Sequence, residues 1–204
     1  MRLEKKHELI LLRLRYLKKE LDFVKQTFDV ASEEFLEEYK RKVTSLPDMQ
    51  KEKIKKSLNK EKKRRETDAR VPPPQAKKAL SESVKEKHAK KLFKEVAKVS
   101  HPDAIIDSSE EEKSEKEKLF KKAQQAVEGS KYFELLEVAE ELGVEIPPPT
   151  TEGLLLLKES VRGINKEIKD FKKTYSWIWY HSENTKVQIM SKYIASIISG
   201  NIRT

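Results

Sequence analysis

Near the middle of the chain stands His101-Pro102-Asp103, and ahead of it Lys87, Lys91, Lys94 and Lys98. Those lysines step by four, three and four residues, so on an α-helix they share one face. Ala89, Leu92, Phe93, Val96 and Ala97 fall on another. Such a helix offers an apolar side to a neighbouring helix and a cationic side to an acidic surface. Pro102 lacks an amide hydrogen and its ring clashes with the preceding turn, so the helix ends there. Asp103 is then expected on an exposed turn just past the positive stripe, where its carboxylate can accept a two-pronged hydrogen bond from an arginine of a partner. His101 and Pro102 set the angle of that turn. This is recognition chemistry and not bond-breaking chemistry. The four histidines are scattered, no pair of them sits at metal-binding spacing with a carboxylate, and no Gly-rich phosphate loop exists. The residues therefore predict no catalytic group, no metal and no cofactor: a binding protein, not an enzyme.

The elements that must position these residues read as helices throughout. Residues 75–100 form the helix that carries the lysines, Ala104 to Ser109 a loop, and Glu110 to Glu128 a second helix with an apolar stripe of Leu119, Phe120, Ala123, Ala126 and Val127. Gly129 stops it, Ser130 is placed to cap the next helix, and that helix carries Phe133, Leu136, Val138, Ala139 and Leu142 before Gly143 closes it. Upstream, Leu3, His7, Ile10, Leu14, Leu17, Leu21, Val24, Phe28, Ala31 and Phe35 alternate at spacings of four and three, a heptad seam on one long helix from about Arg2 to Val43. His7 reads as the frayed end of that seam, and Leu9, Leu11 and Leu12 widen the apolar face. Pro47 ends the pattern. A short helix of Lys, Arg and Glu through Met49 to Glu66 follows, with Ile54 and Leu58 its one apolar pair. Downstream, Leu154, Leu157, Val161, Ile164, Ile168, Phe171, Tyr175 and Ile178 repeat the heptad spacing, and Lys186 to Ile198 has the spacing of a last helix. Trp177 and Trp179 lie between, suited to core packing or to an exposed aromatic patch.

Proline runs divide the chain. Val71-Pro72-Pro73-Pro74 and Pro147-Pro148-Pro149 force stiff extended links. We expect four segments: 1–46, a long coiled-coil helix; 47–74, a basic helix and Pro-rich linker; 75–146, a helical domain; and 147–204, a second coiled-coil helix with a terminal helix. The fold class is all-α: of 204 residues 39% are charged and 36% hydrophobic, and only five are glycine. Such a composition suits helices that bury one stripe each and gives little sheet. The two seams are expected to pair antiparallel inside one chain, with the 75–146 domain inserted between them. A homodimer in which each seam meets its copy is the competing arrangement.

The remaining composition bounds partners and compartment. The formal charge is +9, from 44 basic and 35 acidic residues, and the excess concentrates between Lys51 and Arg70. The block Lys60 to Arg65 is a solvated helix face or, alternatively, a nucleic-acid contact, though no aromatic residues interleave for base stacking. Cysteine is absent, the start shows no secretory leader, and the apolar runs are too short to span a bilayer. We expect a soluble cytoplasmic protein with no membrane partner.

The stretch Lys87-His88-Ala89-Lys90-Lys91-Leu92-Phe93-Lys94-Glu95-Val96-Ala97-Lys98-Val99-Ser100-His101-Pro102-Asp103 resembles the second helix and loop of DnaJ-type J-domains. That family shows an aromatic, a basic residue and two small or aliphatic core positions before His-Pro-Asp, and Phe93, Lys94, Val96 and Ala97 stand at those places. Glu110 to Glu128 corresponds to the third helix, with Gln125-Ala126-Val127 near its end. The resemblance covers Ser81 to Gly143. The family's first helix, with its paired tyrosines, has no visible counterpart, and Ala104 replaces the basic residue that often follows the aspartate. The resemblance implies a co-chaperone that docks on a DnaK-type heat-shock ATPase through His101, Pro102, Asp103 and Lys87, Lys91, Lys94 and Lys98. Leu92, Phe93, Val96, Ala97, Phe120, Ala123 and Ala126 then form the domain core, and the arms contact protein clients or set oligomeric state. The competing reading is a coiled-coil scaffold with a vestigial J-like fold.

Overall fold

The structure is a computed structural model that describes residues 2–68, 81–106 and 109–200. Every element among them is helical. The Val71–Pro74 link, the start of the helix expected from Gln75, and residues 107–108 of the loop lie outside the described residues.

Helix α1 (Leu3–Thr44) follows from an uninterrupted heptad with no proline or glycine inside it. It ends where Thr44 and Ser45 turn their hydroxyls back onto the Lys40 and Lys42 carbonyls, just before Pro47. Helix α2 (Asp48–Asp68) starts at that proline, with Asp48 at its positive end. Next come α3 (Ser81–Ser100), a 3-10 turn at Pro102–Ala104, α4 (Glu110–Glu128), α5 (Tyr132–Glu141), α6 (Thr151–Lys172), α7 (Tyr175–Tyr180) and α8 (Lys186–Ile198). The described residues group into two compact units.

One unit takes the chain up to Lys18, then α3, the 3-10 turn, α4, α5, and α6 as far as Asn165. Its core joins Leu92 and Val96 of α3, Leu119, Ala123 and Ala126 of α4, and nearly all of one side of α5, from Tyr132 to Ala139, with Leu14, Leu156 and Leu157. Arg15 grips both oxygens of Glu140 at 2.9 and 2.7 Å, and Lys18 reaches Glu137 at 2.6 Å, so α1 is tied to α5 by charge as well as by burial. Thr150 caps α6 by accepting the Gly153 amide at 3.0 Å and shares a 2.9 Å hydrogen bond with the His88 ring of α3.

The second unit holds the rest of α1, α2, the end of α6, α7 and α8. Phe35, Ile54, Trp179, Met190, Ile194 and Ile197 make its core. Trp179 is buried edge-on against Phe35, with the Lys186 ammonium 4.4 Å from its ring centre. Trp177 is half-buried and stacked on His181.

Three local expectations are corrected. Ser130 does not cap α5. It takes a positive φ of 55° in the turn after α4, and Lys131 begins α5 with no side-chain cap. The turn is closed instead by backbone, the Lys131 amide reaching the Ala126 carbonyl at 2.7 Å. The downstream seam is not one helix to Ile178: Thr174 accepts the Trp177 amide and starts α7, which leaves Ile178 exposed. Nor do the two long helices run antiparallel. Their N-terminal parts share one unit and their C-terminal parts the other, and Lys25–Glu167, Phe28–Phe171, Ser32–Ser176 and Phe35–Trp179 advance together. Lys172 leans back to Glu20, the N-terminal lean that helical side chains favour. Heptad spacing records a seam but not its direction. Direction follows from the connection, which brings the chain to α6 beside the first turns of α1.

Candidate functional site

The site is the end of α3 and the turn that follows. The last helical hydrogen bond runs from the His101 amide to the Ala97 carbonyl, at 2.9 Å. Ser100 is fully buried and turns its hydroxyl to the Val96 carbonyl at 2.8 Å, so the helix end is pinned into the core. His101 then leaves the helix with φ −63° and ψ 139°, the extended geometry that a following proline demands. Its Nδ1 accepts the Asp103 amide at 3.2 Å, and its ring stands edge-on to Phe120 of α4 at 5.2 Å. Phe120 in turn lies 5.8 Å from Phe93. The Ala104 amide closes the 3-10 turn onto the His101 carbonyl at 2.8 Å. Ile105, buried, anchors the exit, while Ile106 beside it is exposed.

Pro102 and Asp103 are carried outward by this frame. The Asp103 side chain is 88% exposed, with one carboxylate oxygen 3.5 Å from His101 Nδ1. Lys87, Lys91, Lys94 and Lys98 are all exposed. Lys98 holds Glu95 at 2.7 and 2.9 Å. That hydrogen bond keeps the Glu95 carboxyl below the ordinary glutamate range; desolvation pushes the other way, and the charges of Lys98, Lys94 and Lys91 each add a smaller lowering. Glu95 is thus held chiefly by its neighbour Lys98.

The residues expected to form the domain core divide by depth. Leu92, Val96, Ala123 and Ala126 are buried, and Phe93, Ala97 and Phe120 are half-buried, with the two phenyl rings bracing the His101 turn. Sequence reading missed Ser100, Ile105, Tyr132 and Leu135. Signals for three of them were present: Ser100 stands one residue before the turn on the apolar side of α3, and Tyr132 and Leu135 belong to the apolar cluster, broken only by Glu134, that opens α5. Burial pushes the Tyr132 phenol up.

The cation-rich segment lies on α2, where Ile54 is buried and Lys53, Lys55, Lys56 and Lys60 are exposed. Two of its lysines are paired locally, Lys51 with Asp48 and Lys55 with Glu52. Among the described residues no group of His, Asp and Glu is arranged to hold a metal ion, and no helix is long and apolar enough to cross a membrane. Compared with protein families, with curated proteins and with solved structures, the chain finds no match.

Proposed function

We propose that the α3–α4 hairpin acts as a J-domain and that the protein is a co-chaperone, stimulating ATP hydrolysis by a DnaK-type heat-shock chaperone. The observation that carries this reading is the presentation of Asp103: a carboxylate 88% exposed, on a turn braced from inside, at the end of a helix that exposes Lys87, Lys91, Lys94 and Lys98 along one face. Exposed acid next to clustered base suits a partner surface of the opposite pattern, acidic with an arginine at its edge. The lysines steer the encounter and fix its orientation. Asp103 then engages the arginine and favours the hydrolysing state of the partner, a shift that needs only tighter binding to that state than to the resting one. This protein makes and breaks no bond itself. Exposed faces of the long helices then serve for client or oligomer contacts.

Single-turnover ATP hydrolysis by a DnaK-type chaperone tests it. The wild-type chain is expected to raise the rate at least about tenfold, which corresponds to ~1.4 kcal/mol of differential binding. Asp103→Asn is expected to abolish the rise with no change in thermal unfolding, because the side chain is in solvent. Equal stimulation by both proteins, or none by either, removes the proposal.

A further inference from the structure

The apolar residues of α1 form two stripes. One, from Ile10 through Leu14, Leu17, Leu21 and Val24 to Phe35, is used up inside the chain. The other is Leu9, Leu12, Tyr16, Phe23 and Val30, exposed at 55%, 53%, 66%, 66% and 47%. Scattered apolar residues on a surface call for no explanation, but these are in register: Leu9, Tyr16, Phe23 and Val30 stand seven apart. A strict seven-residue repeat drifts around an isolated helix and stays on one line only when that helix supercoils with another.

The charges beside this stripe divide by sign along the helix. From Leu3 to Lys19 there are six lysines and arginines against two glutamates, a formal +4, and from Glu20 to Tyr39 seven acidic residues against one lysine, a formal −6. Two copies side by side in the same direction set like charges together. Two copies in opposite directions set basic against acidic at both ends.

We propose that α1 pairs with α1 of a second copy of this chain, antiparallel, through the Leu9–Val30 stripe. One register pairs four of the five stripe residues and the end charges together: Tyr16 lies opposite the partner's Phe23, Leu9 opposite the partner's Val30, Lys5 opposite the partner's Glu34 and Lys6 opposite the partner's Glu33, with Leu12 against the partner's Thr27. The interface is isologous, each contact occurring twice about a two-fold axis near Lys19 and Glu20. Lys5, Lys6, Glu33 and Glu34 are exposed, and none of them is in an ion pair among the described residues. The five apolar side chains expose enough surface for the two copies to bury roughly 1,100 Å² between them, near the lower bound for a specific interface, and the end charges supply orientation.

Sedimentation equilibrium on the full chain tests this, at low salt and up to about 100 μM protein. A monomer–dimer equilibrium is expected. Phe23→Glu and Tyr16→Glu are expected to give monomer across that range with unchanged helical circular dichroism, since neither side chain enters the core. Lys5→Glu with Lys6→Glu is expected to weaken the dimer about tenfold by setting like charges face to face. Adding Glu33→Lys and Glu34→Lys to that variant is expected to restore it. The chain has no cysteine, so Lys19→Cys gives a clean reporter: it is expected to form a disulfide dimer under mild oxidation, and Leu9→Cys is not. A monomeric wild type, a dimer indifferent to Phe23→Glu, a charge reversal without rescue, or cross-linking at residue 9 and not at 19 each overturns the proposal.

Discussion

His101 sits between two kinds of neighbour. One ring nitrogen accepts the amide of Asp103, and the ring stands edge-on to Phe120, so the imidazole locks the turn from within while the next two side chains are exposed. The lysines behind it act on Glu95 in a way that can be read by titration. A carboxyl lowered in the folded chain favours folding above its unfolded pKa, and that advantage disappears as pH falls through the folded value. Carboxyl NMR is therefore expected to place the Glu95 midpoint below those of isolated surface glutamates, and Lys98→Ala is expected to move it up. The stability change is small at so exposed a site. No upward movement in Lys98→Ala would mean that the Lys98 hydrogen bond does not hold the Glu95 carboxylate. His7, expected as a frayed end, is shifted by a different cause: partial burial disfavours its charged form and lowers its pKa.

At the scale of elements, the unit shows how the core of the α3–α4 hairpin is closed. Helix α5 turns Tyr132, Phe133, Leu135, Leu136, Val138 and Ala139 inward, and α1 and α6 add Leu14, Leu156 and Leu157. The hairpin thus depends on helices distant in sequence. Leu135 is fully buried at this junction, and Leu135→Ala is expected to cost about 3 kcal/mol through lost transfer energy and a residual cavity. Leu9→Ala, on the exposed stripe, is expected to change chain stability by less than about 0.5 kcal/mol. Urea unfolding at concentrations that keep both variants monomeric separates them. Equal losses would place Leu9 in the core.

For the molecule as a whole, the charge balance governs how partners arrive. Under the proposed co-chaperone reading, a net +9 with a cationic stripe beside the Asp103 turn predicts docking that is steered electrostatically and screened by salt. Raising ionic strength from about 0.05 to 0.3 M, which shortens the Debye length from ~14 to ~6 Å, is expected to lower chaperone stimulation several-fold at sub-saturating protein. Lys91→Ala with Lys94→Ala is expected to flatten that dependence while Asp103→Asn leaves no stimulation to screen. A double-lysine variant with wild-type salt sensitivity would move the steering elsewhere, to α2 first of all.

By itself, the sequence determined that the chain is helical, where most helices begin and end, and that His101-Pro102-Asp103 ends a helix with lysines on one face. These are local matters: proline removes a donor, periodicity of 3.5 marks a face, and each is decided within a few residues. Only the tertiary structure decided that the two seams run parallel, that α6 breaks at Lys173-Thr174, and that Ser130 takes a left-handed backbone without capping a helix. It also decided which of two apolar stripes on α1 is buried. A heptad has no arrow and names no partner. Direction and burial depend on which distant helix competes for a face, and that competition is settled by packing across more than a hundred residues of chain.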